Sequence, residues 1–128
     1  MTGPDAAPLT TVAQYLASLP EPARSWVAEF VDDTAAHYPS VPLVMFRQRP
    51  MFKFGASYQR GYVMFTAAKT HFTVHSVEFD LIEQLRHRLP TAQFGKGSVK
   101  VRFTDAAAKP ILREYVAAVM SRHGIARV

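Results

Sequence analysis

YVMFTAAKTHFTVH, residues 62–75, decides the fold. Two runs, Tyr62 to Ala67 and Phe72 to His75, are rich in aromatic and β-branched side chains, and a lysine-containing turn divides them. They read as neighbouring antiparallel strands. Upstream, Leu43 to Arg47 and Met51 to Phe54 form two more short apolar runs separated by Pro50, while Pro39 and Pro42 bar a helix there. The four runs predict an antiparallel meander. Downstream, Val99, Val101 and Phe103 alternate with Ser98, Lys100 and Arg102, the two-residue period of a strand with one wet face.

Helical spacing flanks these runs on both sides. Thr11 and Gln14 match a capping box, and Val12, Tyr15, Leu16 and Leu19 follow on one face up to Pro20. From Pro22, a second stripe runs through Ala23, Trp26, Val27, Phe30, Val31, Thr34 and Ala35. Ser76 is placed to cap a third helix, in which Phe79, Ile82, Leu85 and Leu89 face the core and Pro90 closes the run. Pro110 opens the last, with Ile111, Leu112, Tyr115, Val116, Val119 and Met120 as its stripe and His123-Gly124 as its stop. The predicted order is ααββββαβα. This is an α+β domain, an antiparallel five-stranded sheet covered by helices, over residues 10–128 behind a loose leader at residues 1–9.

A chain of 128 residues fits one domain with its own core. The absence of cysteine excludes disulfides, thiolate metal sites and a cysteine nucleophile together. Neither a signal peptide nor a membrane span is readable near the start, so a cytoplasmic protein is expected. Net charge is +5 and unevenly spread. Residues 1–50 carry Arg24, Arg47 and Arg49 against Asp5, Glu21, Glu29, Asp32 and Asp33, so the surplus lies in the second half. Such a surplus attracts anions and also serves solubility.

Three constellations could carry chemistry. Gly95-Lys96-Gly97 is a fragment of a phosphate-cradling loop, and Lys69 with His71 could hold a carboxylate or phosphate at a strand entrance. His71 and His75 share a strand face but lie about 13 Å apart, too far to bind one ion. Glu29, Asp32, Asp33 and His37, at helical spacings of three and four, form the best patch for a hard cation such as ferrous iron. Glu83 and His87 repeat it in miniature. No nucleophile elbow is present, so an enzyme is not expected. Arg60 to Phe65 begins like an RNA-recognition signature, but Val63 and Met64 replace the residues that motif needs. Nucleic acid is therefore not an expected partner.

Four stretches together resemble a known family: VAQYLASLP (12–20), the strand start at Pro50, Met51 and Phe52, YVMFTAAKTH (62–71) and FGKGSVKVRF (94–103). The family is the YdhG-like domain of unknown function number 1801, which includes a frataxin-like intracellular iron chaperone. Where that family usually shows a Tyr-Gly-Met-Pro-like turn, this chain has Phe46-Arg47-Gln48-Arg49-Pro50. The resemblance implies a compact α+β fold and, by extension, iron handling. It also suggests that Lys69, His71 and Lys96 border one surface feature. The expected partners are thus a metal ion such as iron, an anionic small molecule, or a protein partner.

Overall fold

A computed structural model describes residues 9–55 and 61–128. Residues 1–8 of the expected leader, and Arg60 of the RNA-like stretch, lie outside the described residues. Helices α1 (Val12–Ser18) and α2 (Ala23–His37) come first. Strands β1 (Leu43–Phe46), β2 (Arg49–Lys53), β3 (Tyr62–Ala67) and β4 (His71–Ser76) follow. Helix α3 (Phe79–Gln84) runs into a short 3-10 turn, then come β5 (Gln93–Gly95), β6 (Ser98–Arg102) and α4 (Ala108–Arg122).

The α+β class and the antiparallel sheet agree with the sequence, but the sheet has six strands, not five. Its order is β1-β2-β3-β4-β6-β5, every pairing antiparallel. The element order is therefore ααββββαββα. The additional strand, β5, is three residues long at the sheet edge. Ser76 ends β4 instead of joining α3, although its hydroxyl still accepts the Glu78 N–H at 3.1 Å. The capping box of α1 forms as read, with Gln14 N–H donating to Thr11 Oγ1 and Thr11 N–H to Gln14 Oε1.

One face of the sheet carries the core. Phe52, Val63, Phe65, Phe72, Val74, Val99 and Val101 point toward it, and buried residues of all four helices join the same cluster. At its centre Trp26 and Phe30 of α2 meet Phe72 at ring separations of 5.4 and 4.7 Å, while Phe30 meets Phe65 at 5.4 Å. Rings at these spacings add to the area they bury. Toward α4, the Ser76 and Tyr115 hydroxyls share a buried hydrogen bond, and burial pushes the Tyr115 phenol up to about 12. Phe79, expected in the core, is 43% exposed. Its ring lies against Gly97 and under Lys96 Nζ, 4.9 Å from the centroid.

Burial predicts the cost of truncation. Phe30→Ala should lose about 3–5 kcal/mol, the usual penalty for emptying a large aromatic site, whereas Phe79→Ala should lose less than about 1 kcal/mol. Urea unfolding midpoints of the two variants at unchanged slope measure the difference. Equal losses would mean that the Trp26–Phe30–Phe72 cluster is not the centre of the core.

Candidate anion-binding face

Strand residues alternate between faces, so the packing of Phe65 and Phe72 against α2 fixes what the opposite face displays. Registers give its rows. Phe46 pairs with Arg49 on β1 and β2, and Thr66, Thr73, Lys100 and Gln93 lie side by side across β3, β4, β6 and β5. Next to this row, His71 pairs with Arg102; on its other side lie Met51, Met64, His75 and Ser98. Met51 is buried at 1% exposure yet stands outside the core cluster, flanked by Val44 and Met64. Helix residues pack on the other face.

None of the six strands contains an aspartate or glutamate, while they hold Arg49, Lys53, His71, His75, Lys100 and Arg102. The helical side is different. There Lys109 meets Glu29 at 2.8 Å, Arg122 meets Asp80 at 2.7 Å, Arg88 meets Glu114 at 3.0 Å and Arg86 meets Glu83 at 2.8 Å. Among the described residues, no ion pair neutralises Arg49, Lys53, Lys100 or Arg102. Positive charge on the strands is left uncompensated.

His75 registers that field. Its Nε2 lies 2.8 Å from Thr66 Oγ1, and its pKa is held below the ordinary imidazole value, first by burial and then by Arg49 and Lys100. His71, nearly exposed, is lowered by burial and by Arg102 and Lys100. Arg49, Lys100 and Arg102 are thus the cations of this face, with His75 and His71, whose charged forms are disfavoured, among them. Beside its Arg49 end is a cavity of about 380 Å³ lined by Phe46, Arg47, Arg49, Tyr62, Thr66 and His75, with Met64. The β1–β2 hairpin turn presents Arg47 to it. Arg47 and Gln48 both have positive φ, 50° and 65°, a conformation that two-residue hairpins normally assign to Asn-Gly.

The residues singled out in the sequence are distributed otherwise. Lys69 lies in the β3–β4 turn and His71 at the start of β4. Lys96 sits in the β5–β6 turn next to the far end of β4, where Ser76 N–H donates to Gly97 O. Five residues of extended strand, about 16 Å, separate the two places. The three do not border one feature. On α2, Glu29 is held by Lys109 and lies 3.8 Å from Arg113; Asp33 lies 4.0 Å from both Arg113 and His37. Asp32 is exposed, and His37 Nδ1 is buried without a hydrogen-bond partner. Asp33 and His37 line a cavity of about 320 Å³ together with Arg113 and Arg127. Among the described residues, no three of His, Asp or Glu gather in a metal-holding group. No described helix is long and apolar enough to cross a membrane.

No protein-family model matches the chain, and no curated protein matches it. In three dimensions it is similar to the crystal structure of YdhG, a DUF1801-family protein from Bacillus subtilis. The TM-score is 0.70 over 88% of this chain and 90% of that one, at 16% sequence identity. At that identity the likeness is one of fold.

The lowered pKa of His75 gives a pH dependence with a definite sign. The unfolded chain takes up the imidazole proton near its ordinary value of about 6.5, before the folded protein does. Stability is therefore full above that pH and falls as pH drops through it. The depressed carboxyls of Asp80 and Glu114 act in the same direction, but only in the carboxylate range. The melting temperature should fall from pH 7.5 to 5.5, and His75→Gln should flatten that fall. An equally steep fall in the variant would place the cause elsewhere.

Proposed function

We propose that the chain is a divergent DUF1801-like domain that acts as a binding module for an anionic ligand, without catalysis, through the helix-free face of its sheet. The observation that carries this reading is that, among the described residues, Arg49, Lys100 and Arg102 have no carboxylate partner, while Lys109, Arg122, Arg88 and Arg86 on the helical side are paired. An anion arriving there replaces water around charges that nothing else compensates, and in a partly enclosed cleft such contacts are screened less. Thr66 adds a hydroxyl to the cavity wall next to Arg49, whereas Thr73 is buried. Family kinship rests on the quoted stretches and on the shared fold with the Bacillus subtilis protein. Iron handling draws less support. Two of the carboxylates it would need on α2, Glu29 and Asp33, are engaged by Lys109 and Arg113.

Binding of pyrophosphate, followed by amide NMR shifts, tests the reading. Shifts should concentrate at Thr66, Thr73, His75 and Lys100, and Arg49→Gln/Lys100→Gln should weaken binding about tenfold, equivalent to ~1.4 kcal/mol. Shifts confined to helices, or none at millimolar ligand, would end it. The strained turn offers a second test. Arg47→Asn/Gln48→Gly should relieve two unfavourable backbone conformations and stabilise the fold by about 1–2 kcal/mol, less the exposed bond that Leu9 N–H makes to Gln48. The same swap should weaken pyrophosphate binding, because it removes a cation from the cavity wall. Unchanged affinity would exclude Arg47 from the site.

A further inference from the structure

The sheet is open along β1. This strand pairs with β2 alone, and its residues Leu43, Val44, Met45 and Phe46 are uncharged, apolar and half-buried. Lys53 N–H donates to Pro42 O at 3.0 Å, so Pro42 turns its backbone toward β2. Bonded and unbonded positions alternate along an antiparallel pair. Val44 and Phe46 therefore also turn toward β2, while the N–H and C=O groups of Leu43 and Met45 point outward, and among the described residues no hydrogen bond reaches them there. A proline blunts an edge when it faces outward. Pro42 faces inward, and the outer side keeps its donors. The opposite edge is poorer: β5 has three residues, and the Ser76 bond to Gly97 sets an alternation that turns only Phe94 outward.

Charge selects the occupant. Arg47, whose guanidinium lies 5.1 Å over the Phe46 ring, and Arg49 stand at one end of β1; Lys53 stands at the other, next to Pro42. From Pro42 to Phe46 the strand runs about 14 Å. None of the three cations has an ion-pair partner among the described residues. An apolar stretch between two positive ends is complemented by an apolar stretch between two negative ends. A second copy of the chain does not supply that. Two-fold pairing of β1 with itself about Val44 would carry the Arg47 turn of each copy to the Lys53 end of the other, like charge against like. A phosphate chain would meet the cations but leave the outward amides and carbonyls without a matching backbone.

We infer that the open edge of β1 is a docking site for an extended segment of a protein partner, which adds itself to the sheet as an antiparallel strand and carries two acidic residues, at positions i and i+4, around an apolar centre. Main-chain bonds to Leu43 and Met45 hold the segment, and its apolar centre covers the half-exposed side chains of Leu43, Val44 and Met45. The acidic residues stand opposite Pro42 and Phe46, within reach of Lys53 at one end and of Arg47 and Arg49 at the other. Antiparallel pairing is the kind that every strand of this sheet uses. The site goes beyond the anion-binding reading and needs neither Lys100 nor Arg102, so either can fail alone.

Fluorescence anisotropy of the full chain with a labelled nine-residue peptide, glutamates at its third and seventh positions around three valines, tests the inference. The peptide should bind at submillimolar concentration, and exchanging both glutamates for lysine should weaken it by about tenfold or more. N-methylation of the first and third valines, whose N–H groups face Leu43 and Met45 in this register, should abolish binding; N-methylation of the central valine, which points away, should change it little. Equal losses from the two methylations, or the larger loss from the central one, would overturn the inference. Arg47→Gln/Lys53→Gln should lower affinity about fivefold or more, whereas Lys100→Gln/Arg102→Gln, remote from the edge, should leave it unchanged, with circular dichroism verifying both folds; equal effects would overturn it too. Sedimentation should find a monomer. A dimer that Val44→Lys splits, by setting two lysines against each other at the two-fold axis, would assign the edge to a second copy and overturn the inference. Pyrophosphate binding without peptide binding would overturn it while leaving the anion reading intact, and peptide binding without pyrophosphate binding would do the reverse.

Discussion

The stacking of α2 on the two central strands is the contact from which the rest follows. Trp26 and Phe30 meet Phe65 and Phe72 at the middle of the sheet, and because strand side chains alternate, that contact assigns every other strand residue to one face or the other. Slipping β3 or β4 by a single residue would bury Thr66 and His75 and expose Phe65 and Phe72, a loss of several large apolar side chains from the core. The register is thus held from the helical side. Its consequence is seen on the opposite side, where Thr66, Thr73 and Lys100 fall into line and Arg49 comes to the same face.

Charge in this protein is sorted by layer. The helices and the turns around them carry every described carboxylate, and most meet a cation within 4.0 Å, as Glu29 meets Lys109 and Asp80 meets Arg122. The strands carry only positive and neutral groups. Solubility alone would be served as well by mixed charges on both layers, and a row of like charges costs folding free energy through repulsion. His75 feels that repulsion: next to Arg49 and Lys100 its protonated form is disfavoured. The strained Arg47-Gln48 turn, with two left-handed non-glycine residues beside the same cavity, is a further local cost at the same place.

Much of the fold was legible because the long signals are local. The stripe from Trp26 to Thr34, the capping box at Thr11 and the alternation from Ser98 to Arg102 each depend on neighbours in sequence, and each formed. β5 was not legible: three residues with Phe94 as their one apolar member give no period to read. Phe79 fell on the apolar side of the helical spacing, yet α3 is only six residues long and turns that ring outward over Gly97. The site was the least legible part. Lys69, His71 and Lys96 looked like companions because each neighbours a turn, but turns at opposite ends of β4 cannot converge. Arg49, Lys100 and Arg102 are 51 or more positions apart in part of their spacing, and only pairing through β3 and β4 brings them onto one surface. The basic second half hinted at the charge without locating it.

Proton and ligand must be coupled on such a face. An anion seated between Arg49 and Lys100 removes the two charges that oppose protonation of His75, so its imidazole gains affinity for a proton when the ligand binds; by reciprocity, a protonated His75 strengthens the ligand. Burial, the larger cause of its lowered pKa, remains, and keeps the coupling modest. Thr66 supports either state, since its hydroxyl can donate to Nε2 of the neutral ring or accept from the charged one. The hydrogen bond therefore need not break as the histidine changes charge, and His75 can follow occupancy of the face without disturbing the register of β3 and β4 on which the core depends.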